Sequence, residues 1–253
     1  MGTIIAVVNQ KGGVGKTTTA VNLAAALTEL GLRVLVCDFD PQANATSGFG
    51  IDKRKVKHTS YSMLIEEATA SQAIVKTEYA DVIPSSADLA GAGVELIGMD
   101  KRERQLRKLL GAVREDYDVI FIDCPPSLEM LTLNGLIAAD GILIPVQCEY
   151  YALEGLSDLM ATLRSVKRKL NPTLEIFGVV LTMFDGRINF STQVAQEVRR
   201  HFPGKVFTAS IPRNVRLAEA PSHGLPITAY DRSCRGAAAY RELAQEVAKK
   251  LKR

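Results

Sequence analysis

The sequence predicts an α/β fold: a doubly wound, mostly parallel sheet with helices on both faces. Three observations carry the prediction. Short β-branched apolar runs alternate with helix-length amphipathic stretches through all 253 residues. The runs are near-continuously apolar, as strands are when helices cover both faces of their sheet. And a glycine-rich loop containing Gly12, Gly13 and Gly15 falls between the first apolar run and the first helical stretch, where α/β proteins bind phosphate at a helix N-terminus.

Taken in order, the first strand is expected over 3–9, the run Thr-Ile-Ile-Ala-Val-Val-Asn, and the first helix over 16–30, ended by Gly31. Strands follow at 33–38 and 81–84, then a helix at 98–114. The run Tyr-Asp-Val-Ile-Phe-Ile-Asp makes 117–123 a buried strand, and 130–139 a helix before the next strand at 141–147. A helix over 153–170 is ended by Asn171-Pro172, which cannot continue it. A strand at 175–183, a helix at 190–202, a strand at 205–210 and a last helix over about 236–252 complete the chain. There is no internal repeat, low-complexity tract or linker, so one domain over 1–253 is expected, a size that buries a large core.

Apolar residues make up 47% and charged residues 23% of the sequence, which marks a globular chain and not a disordered one. No apolar run reaches the length of a membrane span, and no basic-then-apolar leader opens the sequence. Ala6 stands where a myristoylation signal needs Ser or Thr. The four cysteines, Cys37, Cys124, Cys148 and Cys234, form no C-x-x-C pair and read as reduced thiols of a cytoplasmic protein. Net charge is +3, unevenly spread: residues 1–159 hold 14 basic and 21 acidic residues, and 160–253 hold 17 basic and 7 acidic ones. A basic second part points to an anionic partner, nucleic acid or membrane, with a solvated helix face as the alternative.

The loop Gln10-Lys11-Gly12-Gly13-Val14-Gly15-Lys16-Thr17-Thr18 carries the chemistry. Its glycines let several backbone N–H groups turn toward one anion, Lys16 reaches the outer phosphates as a compact charge, and Thr17 offers a hydroxyl to Mg2+. It departs from the standard P-loop in having Gln10 in place of the first glycine and an added Lys11. Asp123, ending an apolar strand, suits the Mg2+ side of such a site. Asp38 and Asp40, spaced i, i+2 at the end of the second strand, share one side of an extended chain.

Lys11-Gly12-Gly13-Val14-Gly15-Lys16-Thr17-Thr18 resembles the deviant Walker A motif of the ParA/MinD family. Asp38-Phe39-Asp40-Pro41-Gln42-Ala43-Asn44 resembles the D-x-D-P-Q-x-N segment of ParA/Soj-type chromosome-partitioning ATPases. Asp123-Cys124-Pro125-Pro126-Ser127, the stretch from Glu149 to Gly155, and that from Ile211 to Ser222 are similar to the same subfamily. The resemblance runs from Ile4 to the last helix. It implies a Mg2+-dependent ATPase of slow turnover, in which Lys16 and the loop amides from Lys11 to Thr18 hold ATP. Thr17 binds Mg2+, with Asp38 and Asp123 in its outer sphere, and Asp40 positions or activates the attacking water. Lys11 reaches across a nucleotide-sandwich homodimer to the partner's phosphates. Pro212 and Asn214 match the stretch that holds adenine.

Arg187 and Arg216 match positions where ParA/Soj proteins carry arginines for non-specific DNA binding. The partners implied are double-stranded DNA and a ParB-type centromere-binding protein that stimulates hydrolysis, in the cytoplasm and on the nucleoid. No stable membrane association is expected: the last helix has one apolar stripe, Leu243, Val247 and Leu251, suited to packing on the body of the protein. Two other readings of the scaffold stay open at this stage: an ATPase positioning another cargo, and an ATP-dependent amide-forming synthetase.

Overall fold

A computed structural model describes residues 2–149 and 152–252. Among these, eight strands form one sheet: β1 (Thr3–Val7), β2 (Val34–Asp38), β3 (Val75–Lys76), β4 (Asp81–Ile83), β5 (Val119–Asp123), β6 (Gly141–Gln147), β7 (Glu175–Phe184) and β8 (Val206–Pro212). Their order is β3-β4-β2-β5-β1-β6-β7-β8. Every pairing is parallel except that of the two-residue β3 with β4. The α/β, doubly wound architecture expected from the sequence is the one observed.

Side chains alternate across a strand, and this divides the apolar residues into two cores. Ile4, Ala6 and Val8 join Leu35, Cys37, Ile120 and Ile122 on one face. That face is covered by the helices Gln105–Gly111, Met130–Ala138, Ala152–Lys169 and Asn189–His201. Ile5 and Val7 join Val34, Val36, Val119 and Phe121 on the other, beneath Lys16–Glu29 and Arg235–Leu251. The stripe expected on the last helix is built into this second core: Leu243 and Val247 are fully buried and Leu251 packs against it. Among the described residues no helix is long and apolar enough to cross a membrane.

The helix expected over 98–114 is corrected. Only Gln105–Gly111 is α-helical, with 3-10 turns at Leu96–Gly98, Arg102–Arg104 and Arg114–Asp116. Lys101 sits in the left-handed region at φ 52°, which no helix interior accommodates. The reason is burial: Leu106, Leu110 and Val113 reach the core, whereas no residue from Gly98 to Arg104 is buried. The first strand is also shorter than expected and stops at Val7.

Candidate nucleotide-binding site

The residues expected at the phosphate site come together at the carboxyl ends of the central strands, where ligands of open α/β sheets bind. Val7, last in β1, lies opposite Asp123 of β5 and Leu143 of β6, and Asp38, last in β2, lies opposite Asp123. The loop from β1 into Lys16–Glu29 curls through two left-handed glycines, Gly13 at φ 73° and Gly15 at φ 86°. Gly15 is the N-cap and offers no side chain to the first turn, so the N–H groups there remain available to an anion.

Three contacts fix the loop. Asn9 bridges it to the sheet, accepting from the Lys11 N–H at 3.0 Å and donating to the Pro145 carbonyl at 2.7 Å. Thr182 Oγ1, near the end of β7, donates to the Val14 carbonyl at 2.8 Å. Lys16 Nζ donates to the Lys11 carbonyl at 3.2 Å, so the ammonium lies under the arch of the loop. Burial lowers the Lys16 pKa, opposed by the charges of Asp123 and Asp40. Asn9 and Thr182 were not among the residues expected here. An Asn closing the first strand is a local signal, but the Thr182–Val14 bond spans 168 positions and leaves none.

The carboxylates are buried, Asp38 and Asp123 completely and Asp40 to within 8%. Asp38 Oδ2 accepts from the Thr46 N–H at 2.7 Å and its hydroxyl at 2.6 Å, and Oδ1 from the Asp40 N–H at 3.3 Å. Burial pushes the Asp38 carboxyl up to about 6 against the pull of the Thr46 donors. Both oxygens of Asp123 lack a hydrogen-bond partner among the described residues. Burial, with Asp38 alongside, drives that carboxyl well above the usual carboxylate range, against the nearby Thr17 hydroxyl and Lys16. Unpartnered buried carboxylate oxygens beside a threonine hydroxyl are hard donors, and they fit Mg2+, which takes one or two carboxylates and completes its shell with phosphate and water. Asp40 is set by a turn: its Oδ1 accepts from the Gln42 N–H at 2.9 Å and its carbonyl from the Ala43 N–H at 2.9 Å, with Ala43 left-handed at φ 52°.

Lys11 is placed differently from Lys16. Its Nζ is 3.6 Å from Glu149 Oε2, two residues past the end of β6, and Arg213 reaches the other oxygen of Glu149 at 3.4 Å. Tyr150 and Tyr151, in the motif that begins with Glu149, lie outside the described residues. Beside the loop opens a cavity of about 210 Å³ lined by Gly15, Thr18, Met183, Pro212, Asn214 and Tyr240, among others. The Asn214 oxygen caps the helix Val215–Glu219, accepting from the N–H groups of Arg216 and Leu217, which leaves its amide NH2 as the group it can offer a ligand.

Arg187 and Arg216 are not part of this cluster. Arg187 is an 87% exposed side chain held by Asp185 through Nε at 2.9 Å and Nη2 at 2.6 Å. Arg216 pairs with Glu219 at 2.8 Å and Asp231 at 3.6 Å. The cysteines are all unpaired, three of them buried.

Sheet order, a glycine loop at the central strand, a buried loop lysine and two carboxylates at neighbouring strand ends define a P-loop nucleotide-binding protein. Residues 2–176 match the model of a family described as an AAA domain. The chain is 56% identical to the sporulation initiation inhibitor protein Soj of Bacillus subtilis (strain 168), over 98% of this chain and 99% of that protein. It is 52% identical to the chromosome partitioning protein ParA of Caulobacter vibrioides (strain NA1000 / CB15N), over 96% and 93%. Among solved structures it superposes with a TM-score of 0.87 on cobyrinic acid a,c-diamide synthase from Mycobacterium smegmatis with bound ATP analog and magnesium, at 37% identity, over 100% of this chain and 96% of that one. The chain belongs to the Soj/ParA family of P-loop partitioning proteins.

Proposed function

We propose that this chain is an ATP-dependent DNA-segregation ATPase of chromosome or plasmid partition, a single domain working in the cytoplasm on the nucleoid. The observation that carries the reading is the separation of the two loop lysines. Lys16 is buried under the loop, whereas Lys11 on the same loop is one-third exposed and points to Glu149. A lysine held only by a partly exposed ion pair can exchange it for the nucleotide of a second copy, which supports a homodimer formed on ATP. The greater identity to Soj than to the amide-forming synthase favours partition over synthesis.

In this reading the loop amides and Lys16 hold the phosphates, and Thr17, Asp38 and Asp123 hold Mg2+, directly or through water. Mg2+, when bound, neutralises charge on the transferred phosphoryl group. Asp40, fixed by its turn, orients the attacking water, and Lys11 of the partner copy stabilises the developing charge. Pro212 and Asn214 hold the adenine. Arg187 and Arg216 make phosphate contacts with DNA that carry no sequence information. Slow hydrolysis to ADP and phosphate, stimulated by a ParB-type protein, returns the dimer to a form that leaves DNA. The stripe of the last helix, buried in the body, supports the absence of a stable membrane anchor.

The test is co-sedimentation with non-specific duplex DNA in ATP, in ADP and without nucleotide, at several salt concentrations. The expected result is retention in ATP alone, weakening steeply with salt; equal retention in all three conditions overturns the switch.

A further inference from the structure

Asp38 is gripped by a single residue eight positions downstream. The backbone N–H and the hydroxyl of Thr46 converge on Oδ2, at 2.7 and 2.6 Å. The sense of the hydroxyl bond is fixed by a third group: the Ser85 N–H lies 2.9 Å from Thr46 Oγ1 and can only donate, so the hydroxyl accepts from Ser85 and gives its proton to Asp38. Asp38, Thr46 and Ser85 are all fully buried, so bulk water cannot replace a lost donor. Two donors occupy the lone pairs of Oδ2, while Oδ1 meets the longer Asp40 N–H at 3.3 Å and keeps acceptor capacity. The neighbour opposite on β5 is Asp123, whose oxygens have no hydrogen-bond partner among the described residues. Two buried carboxylates side by side repel, and something must hold them in place until a cation arrives. The left-handed turn at Ala43 is what brings the helix Asn44–Gly48, and Thr46 with it, back beneath Asp38.

We propose that Thr46 is a positioning residue for the Mg2+ site: its amide and hydroxyl clamp Oδ2 of Asp38 and leave Oδ1 to accept from the water shell of the cation. The proposal rests on Asp38 serving that site. Asp38 is itself an outer partner of the cation, a contact worth about 10- to 100-fold in metal affinity, and Thr46 acts by holding it in place. A merely structural Thr46 satisfies a buried acceptor and changes stability alone; a positioning Thr46 changes how much Mg2+ nucleotide binding requires.

The experiment is equilibrium binding of a fluorescent ATP analogue to the full chain during a MgCl2 titration, with a parallel measurement in EDTA. The variants are Thr46→Val, which keeps the shape and removes the hydroxyl, Thr46→Ala, Thr46→Ser and Asp38→Asn. Val and Ala are expected to move the Mg2+ midpoint up by about tenfold, with nucleotide affinity in EDTA unchanged, and Ser to restore the wild-type midpoint. Wild-type midpoints for Val and Ala beside a displaced midpoint for Asp38→Asn overturn the role of Thr46 and leave Asp38 where it is. An undisplaced Asp38→Asn removes the Asp38 reading itself, and this proposal with it. Where Val and Ala fail to fold, Thr46→Cys, which puts a weakly donating thiol in place of the hydroxyl, decides: a raised midpoint supports the clamp and a wild-type midpoint overturns it.

Discussion

Two carboxylates, Asp38 and Asp123, meet at the ends of adjacent strands with Lys16 as their buried counter-charge. In the absence of a cation such an arrangement opposes folding, and the opposition has a definite pH dependence. Burial raises Asp38 from its ordinary 3.8 to about 6. Between those values the folded chain holds a proton that the unfolded chain has released, so the contribution to stability is complete below 3.8 and is lost as pH rises through 6. Nucleotide-free protein is therefore expected to lose stability between about pH 4 and pH 6.5, and Asp38→Asn, which still accepts both Thr46 donors through its amide oxygen, to lose less. The difference in slope is on the order of 1–3 kcal/mol over that range, read from urea midpoints at each pH. Parallel curves for the two proteins show that Asp38 does not carry the effect.

Among the elements, the segment after β2 is the least regular part of the site, and it is held by backbone packing. Gly50, which follows the helix Asn44–Gly48, and Gly224, which closes the turn Ala220–His223, are both left-handed and touch. A Cβ on Gly224 meets the Gly50 Cα at 2.6 Å, whereas one on Gly31, also left-handed, meets nothing within 4 Å. Gly31→Ala is expected to cost about 1 kcal/mol from backbone strain alone, and Gly224→Ala a further ~1–3 kcal/mol of overpacking. Equal urea midpoints for the two variants rule out the close approach as a source of stability. The same contrast explains what was legible in the sequence. Strands such as Val119–Asp123 and Gly141–Gln147 announce themselves because every residue is buried, and the loop from Gly12 to Lys16 because glycine, lysine and the strand-to-helix change coincide. The helix expected at 98–114 was misread because a charged run with scattered leucines has helical spacing whether or not a core lies beneath it; the stretch from Gly98 to Arg104 buries no residue, and Lys101 is left-handed. Thr46 on Asp38 and Thr182 on Val14 were illegible because the sequence records neither the turn at Ala43 nor the register that brings β7 to the loop.

At the scale of the whole molecule, the basic second part of the chain is partly neutralised within the monomer. Arg187 is locked to Asp185, Arg216 to Glu219 and Asp231, and Arg213 to Glu149. Exposed pairs of this kind contribute little and exchange readily for phosphate, and two copies side by side offer twice as many such contacts as one. The same doubling governs the nucleotide sites if Lys11 acts in trans. Each site of a symmetric dimer then consists of Lys16 and Asp40 from one chain and Lys11 from the other. Lys11→Ala and Asp40→Ala are each expected to be inactive alone, since every site in either homodimer lacks one group. Mixed, they form heterodimers in which the chain carrying Lys11→Ala keeps its own Asp40 and receives an intact Lys11 from its partner, while the other site lacks both. With random pairing half the dimers are mixed and one site in each is complete, so the mixture is expected to recover about a quarter of the wild-type rate per chain in the presence of DNA and the partner protein. A lysine acting within its own chain gives a different outcome, because no pairing can then assemble a complete site. A mixture as inactive as its components places Lys11 in cis; recovery with the ratio set by pairing places it across the dimer.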